Sequence, residues 1–194
     1  MHFSYISERS QMSMQVSGLV HPYIRISGLF PIDISAHPGT ALAICGSNGA
    51  GKTTFLKLLL KEIEPKKGIV HVGAQFAYLG IKNALKPQLT VQQQLSYFMS
   101  TQLDFPWPEF LQIIYKDLST GQQRLVALWL TLHNSKSLIL LDEPFSHLDS
   151  RGCSQAYMWI NTQLNLKKTI IFTHHCSEEL HEIESLQVFD LNGY

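Results

Sequence analysis

The chain has 194 residues, with 15 Lys and Arg balanced by 15 Asp and Glu and a formal net charge of zero; that length suits one domain with a full core. With no surplus charge and no long block of one sign, the composition excludes the electrostatic footprint of a nucleic-acid binder. The three cysteines, Cys45, Cys153 and Cys176, are odd in number and lack paired spacing, which fits reduced thiols in a reducing compartment rather than a disulfide framework.

Residues 1–13 show no clear hydrophobic period and are expected to form a loose tail. They also lack the basic and apolar regions of a signal peptide. No apolar run approaches the ~18 residues that span a bilayer; the strongest, over residues 125–132, is too short. The expectation is a soluble protein, or one held peripherally on a membrane by a partner. Residues 14–27 supply edge strands, and residues 29–36, followed by Pro38-Gly39, read as a strand and a tight turn. A short apolar run, TALAIC over 40–45, then reads as a buried strand.

That strand leads into Gly46-Ser47-Asn48-Gly49-Ala50-Gly51-Lys52-Thr53-Thr54, which fits the P-loop pattern G-x-x-x-x-G-K-[ST] at every fixed position. A polyphosphate is gripped by many donors at close range, and Gly49 and Gly51 let the backbone turn its N–H groups inward. Lys52 would reach the β- and γ-phosphates, and Thr53 would place its hydroxyl on Mg²⁺. Residues 55–61 read as a helix whose N-terminus faces the phosphates.

Further along, residues 64–68 form a turn, 69–72 and 76–79 are short strands, and 80–88 is a loop. A helix runs to about residue 101, with Thr90 as a plausible N-cap. The stretch 104–108, with Pro106 and Pro108, breaks it, and a short helix follows over 109–115. Ser119, Gly121 and Gln122 sit before an apolar helix over 125–133, where a hydroxyl, bare N–H groups and the helix dipole make a second anion site. On these residues alone, an ordinary capped helix start is an equal reading. Residues 137–141 are a buried strand ending in Asp142-Glu143-Pro144, at the carboxyl edge where open α/β sheets place ligands. There Asp142 would hold Mg²⁺ and Glu143 would orient or deprotonate the attacking water. A helix over 152–164 and a strand over 169–172 lead to Thr173-His174-His175. His174 is placed to reach a γ-phosphate, although a surface histidine fits as well. His174, His175, Cys176 and His181 do not match a zinc spacing. A helix from residue 177 and a strand over 188–190 close the chain.

P-loop, LSTGQ, an apolar strand with DEP, SHLD and a T-H strand end occur in that order. The set resembles the ATP-binding cassette (ABC) ATPases over about residues 15–190. The resemblance implies a P-loop α/β fold, with a parallel sheet core, a small antiparallel β-region and a short helical subdomain, in a single ATP-binding domain over 14–194. It makes residues 46–54 the Walker A loop, with Gly46, Ser47, Asn48, Gly49, Ala50, Gly51, Lys52, Thr53 and Thr54 on the nucleotide. Ser119, Gly121 and Gln122 become the signature, Asp142 the Walker B carboxylate, Glu143 the catalytic acid, 146–149 the D-loop and His174 the switch histidine. ATP and Mg²⁺ are the implied ligands, and two chains pair head to tail so that each ATP lies between one Walker A and the other's signature. The stretches GSNGAGKTT, LSTGQQRLVAL and DEPFSHLD, with residues 78–90, look like the CcmA family in particular. That likeness implies the ATP-binding subunit of the cytochrome c maturation haem-export system, peripheral on the cytoplasmic face of the inner membrane beside a membrane-spanning CcmB-like subunit.

The chain departs from the pattern at three places. Lys82 stands where the family carries a Mg²⁺-bridging Gln, and a protonated Lys cannot ligate a metal. Thr120 replaces the first glycine of the usual signature pair. The segment between Thr90 and Leu118 is short for the helical subdomain. The adenine-stacking aromatic is sought near residues 21–23, where Tyr23 is the choice and a packed tyrosine the alternative.

Overall fold

The computed structural model describes residues 12–24, 31–73, 75–98, 105–175 and 180–192. In chain order its elements are β1 (Met14–Val20), β2 (Ile32–Ala36), β3 (Ala41–Cys45), α1 (Lys52–Leu59), β4 (Lys67–Val72), β5 (Phe76–Leu79), α2 (Val91–Phe98), α3 (Thr120–Leu132), β6 (Leu138–Leu141), α4 (Ser150–Asn165), β7 (Thr169–His174) and β8 (Leu186–Asp190). Two sheets result. One is parallel, in the order β5-β6-β7-β3-β8, and the other is a small antiparallel sheet, β2-β1-β4.

The central strands β6, β7 and β3 are buried at nearly every position because both faces of the sheet are covered there. Alternation sorts the side chains. Ala41, Ala43, Cys45, Ile139, Leu141, Ile170 and Phe172 pack with the residues of α3 and α4. Leu42, Ile44, Leu138, Leu140 and Ile171 pack with α1 and the inner face of the antiparallel sheet. Phe55, Leu56 and Leu59 of α1 are wholly buried on that second side. Truncating such a leucine to alanine costs about 2–5 kcal/mol, so α1, and the loop that precedes it, is held firmly on the sheet.

Several expectations need correction. Two helices start earlier than their apolar runs: α1 at Lys52 and α3 at Thr120. The expected helix over 109–115 is instead two 3-10 turns, Pro108–Phe110 and Tyr115–Asp117. Between them Ile114 bridges to Thr90, a pairing that interrupts helical winding. α2 is capped as the sequence suggests: the Gln93 N–H donates to Thr90 Oγ1 and the Thr90 N–H to Gln93 Oε1. Its expected extension to residue 101, the expected strand residues 25–30 and most of the tail over 1–13 lie outside the described residues. Ser13 is tied down, its N–H on the Ala36 carbonyl and its hydroxyl 2.6 Å from that of Thr169. The start of the helix expected from residue 177 is also outside them, and residues 181–185 are turns leading into β8. Among the described residues, no helix is long and apolar enough to cross a membrane.

Candidate nucleotide site

The site lies at the carboxyl ends of β3, β6 and β7, which are hydrogen-bonded neighbours in the order β6-β7-β3. From Cys45 the chain turns through residues 46–51 into α1. Gly51 has φ 104, and a Cβ there would sit 2.5 Å from the Tyr23 carbonyl oxygen, so only glycine fits. With Gly51 as N-cap, α1 starts without a side-chain cap and without an acid in its first turn. Its first N–H groups and the dipole are therefore left to an anion. Lys52 is buried, and its ammonium donates to the Gly46 carbonyl at 2.7 Å and the Ser47 carbonyl at 3.1 Å. From the far side the Ser47 N–H and hydroxyl both donate to Asn192 Oδ1. The cleft beside the loop, about 400 Å³, is lined by Asn48, Gly49, Lys52, Thr53 and Thr54, with Tyr23 at one side and Glu143 at the other.

The end of β6 carries two carboxylates, Glu143 lining this cleft and Asp142 buried behind Thr53. Asp142 is 1% exposed. Its Oδ1 accepts from the Thr173 hydroxyl at 2.7 Å and its Oδ2 from the Thr53 hydroxyl at 3.2 Å. Thr173 in turn accepts the Glu143 N–H at 2.8 Å. Glu143 has φ 47, a left-handed conformation that costs a non-glycine residue on the order of 1–3 kcal/mol. The Thr173 bond holds that peptide in place. The Glu143 carboxylate lies 3.1 Å from His175 Nε2, and His175 Nδ1 lies 3.4 Å from the Lys52 ammonium. A neutral imidazole protonated on Nε2 satisfies both contacts, accepting from Lys52 and donating to Glu143.

His174 does not join this group. β7 runs through His174 rather than ending at Phe172, so alternation still governs its side chain. Thr173 and His175 face the P-loop, whereas His174 points to the opposite side, with its ring edge-on to Phe145 at 5.6 Å. The histidine beside Lys52 and Glu143 is therefore His175, and the assignment of His174 to that place is corrected. Thr173 also escaped the sequence reading, although the same parity rule, counted outward from Ile171, points to both residues.

Thr53 and Asp142 offer a hydroxyl and a carboxylate oxygen on neighbouring elements, a hard-oxygen donor set that fits Mg²⁺. Lys52 and the bare helix N-terminus fit a polyphosphate. The signature residues do not line this cleft within the chain. Ser119 is the N-cap of α3 and forms a capping box with Gln122. A Cβ on Gly121 would lie 2.8 Å from the His147 carbonyl oxygen, so the start of α3 and residues 146–149 touch through their backbones. Lys82 is exposed and lines a second cleft, about 320 Å³, with Asn83, Thr120, Gln123 and His147; this cleft shares no residue with the first. At its edge the Tyr115 hydroxyl donates to the Gln123 carbonyl, and burial pushes that phenol up to about 12. Tyr23 is 73% exposed, at the rim of the first cleft.

Comparisons with known proteins give the family and the fold. The profile of the family described as ABC transporter matches residues 29–146. The cytochrome c biogenesis ATP-binding export protein CcmA of Idiomarina loihiensis is 34% identical in an alignment that covers 75% of this chain and 78% of that protein. The thiamine import ATP-binding protein ThiQ of Aliivibrio fischeri is 27% identical in an alignment that covers 86% of this chain and 83% of that protein. Among solved structures, an ATP-binding subunit of an ABC transporter superposes with a TM-score of 0.75 over 93% of this chain and 87% of its own, at 21% identity, a likeness of fold. The chain belongs to the ABC transporter family, as an ATP-binding and ATP-hydrolysing subunit of the kind that works with a membrane subunit.

Proposed function

We propose that this chain is the ATP-hydrolysing subunit of a cytochrome c maturation haem-export complex, peripheral on the cytoplasmic face of the inner membrane and partnered by a CcmB-like membrane subunit. The observation that carries the hydrolytic part is that Lys52, Thr53 and Glu143 line one cleft, with Asp142 bonded to Thr53 and His175 in contact with both Lys52 and Glu143. The likeness to CcmA across three quarters of the chain supports the export part.

In this reading residues 46–54 bind the triphosphate through backbone N–H groups. Lys52 moves its ammonium from the loop carbonyls to the β- and γ-phosphates, where charge develops. Thr53 and Asp142 would hold Mg²⁺, which would supply positive charge against the phosphates. Glu143 orients and deprotonates water, and His175, donating to Glu143, keeps the carboxylate aimed at the cleft. Tyr23, at the rim, stacks on adenine. Ser119, Gly121 and Gln122 act on the ATP of a second copy paired head to tail, which accounts for their distance from the cleft of their own chain.

Glu143→Gln should abolish ATP turnover and leave ATP binding intact; full turnover in that variant would sink the hydrolytic reading. The export reading is tested by capturing the chain from detergent-solubilised native membranes and identifying its companions by mass spectrometry. A CcmB-like subunit with haem-handling proteins is expected, and a different permease would replace the substrate. Lys82 favours a second reading, a nucleotide-binding regulatory module with weak hydrolysis, because a lysine cannot supply the metal-bridging amide. ATP binding without turnover, even with the captured membrane partner present, would favour it.

A further inference from the structure

Arg124 is the largest fully buried side chain of the described residues, 1% exposed; it is absent from the P-loop cleft and lies at the back of the second one. It sits on α3, five residues beyond the Ser119 N-cap. Its guanidinium donates five hydrogen bonds. Nε reaches the Pro144 carbonyl at 3.1 Å, and Nη2 reaches those of Asp142 at 2.6 Å and Glu143 at 2.8 Å. Nη1 reaches the Gly80 carbonyl at 2.8 Å and Asn83 Oδ1 at 2.9 Å. Three acceptors are thus consecutive residues of the turn that holds Glu143 at φ 47. The other two bracket Ile81 and Lys82 in the loop after β5.

A buried guanidinium is tolerated only when its N–H groups are met. Burial lowers its pKa, and the nearby charges of Asp142 and Glu143 oppose that shift. The planar fork matters more than the charge: a lysine ammonium has three donors on one point and cannot span acceptors on two separate turns. A residue needed only for packing would not require this geometry.

We infer that Arg124 is a positioning residue whose guanidinium fixes the turn 142–144, and with it the Glu143 carboxylate, against loop 80–83. A displacement of either α3 or that loop is then passed to the carboxylate. The inference rests on the reading of Glu143 as the group that activates water. Arg124 does not touch the P-loop cleft, so its loss should act on the rate of hydrolysis rather than on nucleotide binding.

The test compares the full chain as wild type, Glu143→Gln, Arg124→Lys and Asn83→Ala. Steady-state hydrolysis, binding of a fluorescent ATP analogue and thermal melting are measured on each. Arg124→Lys should lower kcat by about 10- to 100-fold, the scale of a small misplacement of a reacting group, with KM and analogue affinity nearly unchanged. Asn83→Ala, which removes one of the five bonds from a half-buried loop position, should show the same split with a smaller fall in kcat. Wild-type kcat in either variant overturns the inference, as does a fall in kcat matched by an equal loss of nucleotide affinity. If Arg124→Lys does not fold, Asn83→Ala decides alone. Absent wild-type turnover, or turnover that survives Glu143→Gln, overturns the reading of the site itself and the inference with it, and does so before any Arg124 variant is compared.

Discussion

Thr173, His174 and His175 are three adjacent residues with three different tasks, divided by strand parity. Thr173 donates to Asp142 and accepts from the Glu143 peptide, so one hydroxyl sets both carboxylate-bearing residues. His175 follows it on the same face. Replacing His175 with alanine should lower ATP turnover by up to about 10²-fold, because the carboxylate loses its donor and drifts. His174→Ala should cost far less turnover and show instead in the melting temperature, since its ring packs on Phe145. Steady-state kinetics and melting curves on the two variants check this, and the reverse order would return the switch role to His174. The residue types of the site were legible in the sequence because phosphate and metal chemistry admits few alternatives. Which histidine serves was not, because the strand runs two residues beyond its last apolar position. Arg124 was invisible for a related reason: an arginine among leucines on an apolar helix gives no sign that its partners are carbonyls from two distant turns.

α3 shows how one element carries several of these constraints. At its start, Gly121 lies against the His147 carbonyl. Gly121→Ala should push residues 146–149 away, cost about 1–3 kcal/mol as overpacking and lower turnover. A melting temperature equal to wild type would show that the contact yields without cost. At its end, His133 stacks on Trp129 at 4.5 Å, with Nδ1 2.9 Å from the Trp129 carbonyl. Burial lowers its pKa below the ordinary 6.5 and Lys168 adds to this, while the carbonyl contact opposes both. Burial wins over the helix dipole that would favour a charged histidine there. The unfolded chain therefore takes up a proton at higher pH than the folded one. The stability from neutral His133 is fully present above the ordinary imidazole pKa and is lost as pH falls from there through the lowered folded value. His133→Phe should flatten the fall in melting temperature between about pH 8 and about pH 5, with the other histidines common to both proteins. An equal slope would remove His133 from the account. Sequence pattern located this helix but began it five residues late, since Thr120-Gly121-Gln122-Gln123-Arg124 has no apolar period and is held by the capping box.

At the scale of the whole molecule, the resemblance carried by the ordered motifs implied a parallel sheet, and the P-loop marked its working edge. The order of the strands was not legible, because β3, β6 and β7 are short and buried along nearly their whole length, so that each matches any neighbour. The observed order sets β3 between β7 and β8, both far downstream. The Ser47 contact to Asn192 spans 145 positions. During synthesis, β3 therefore emerges with no sheet partner already made. At ~5–20 residues per second, its partners follow on the order of ten seconds later. Throughout that interval a bare apolar strand and an unshaped loop are offered to the surroundings. The cleft is therefore complete only once β7 and β8 have joined β3, so a chain cut short before residue 169 holds the whole P-loop sequence without the sheet that shapes it.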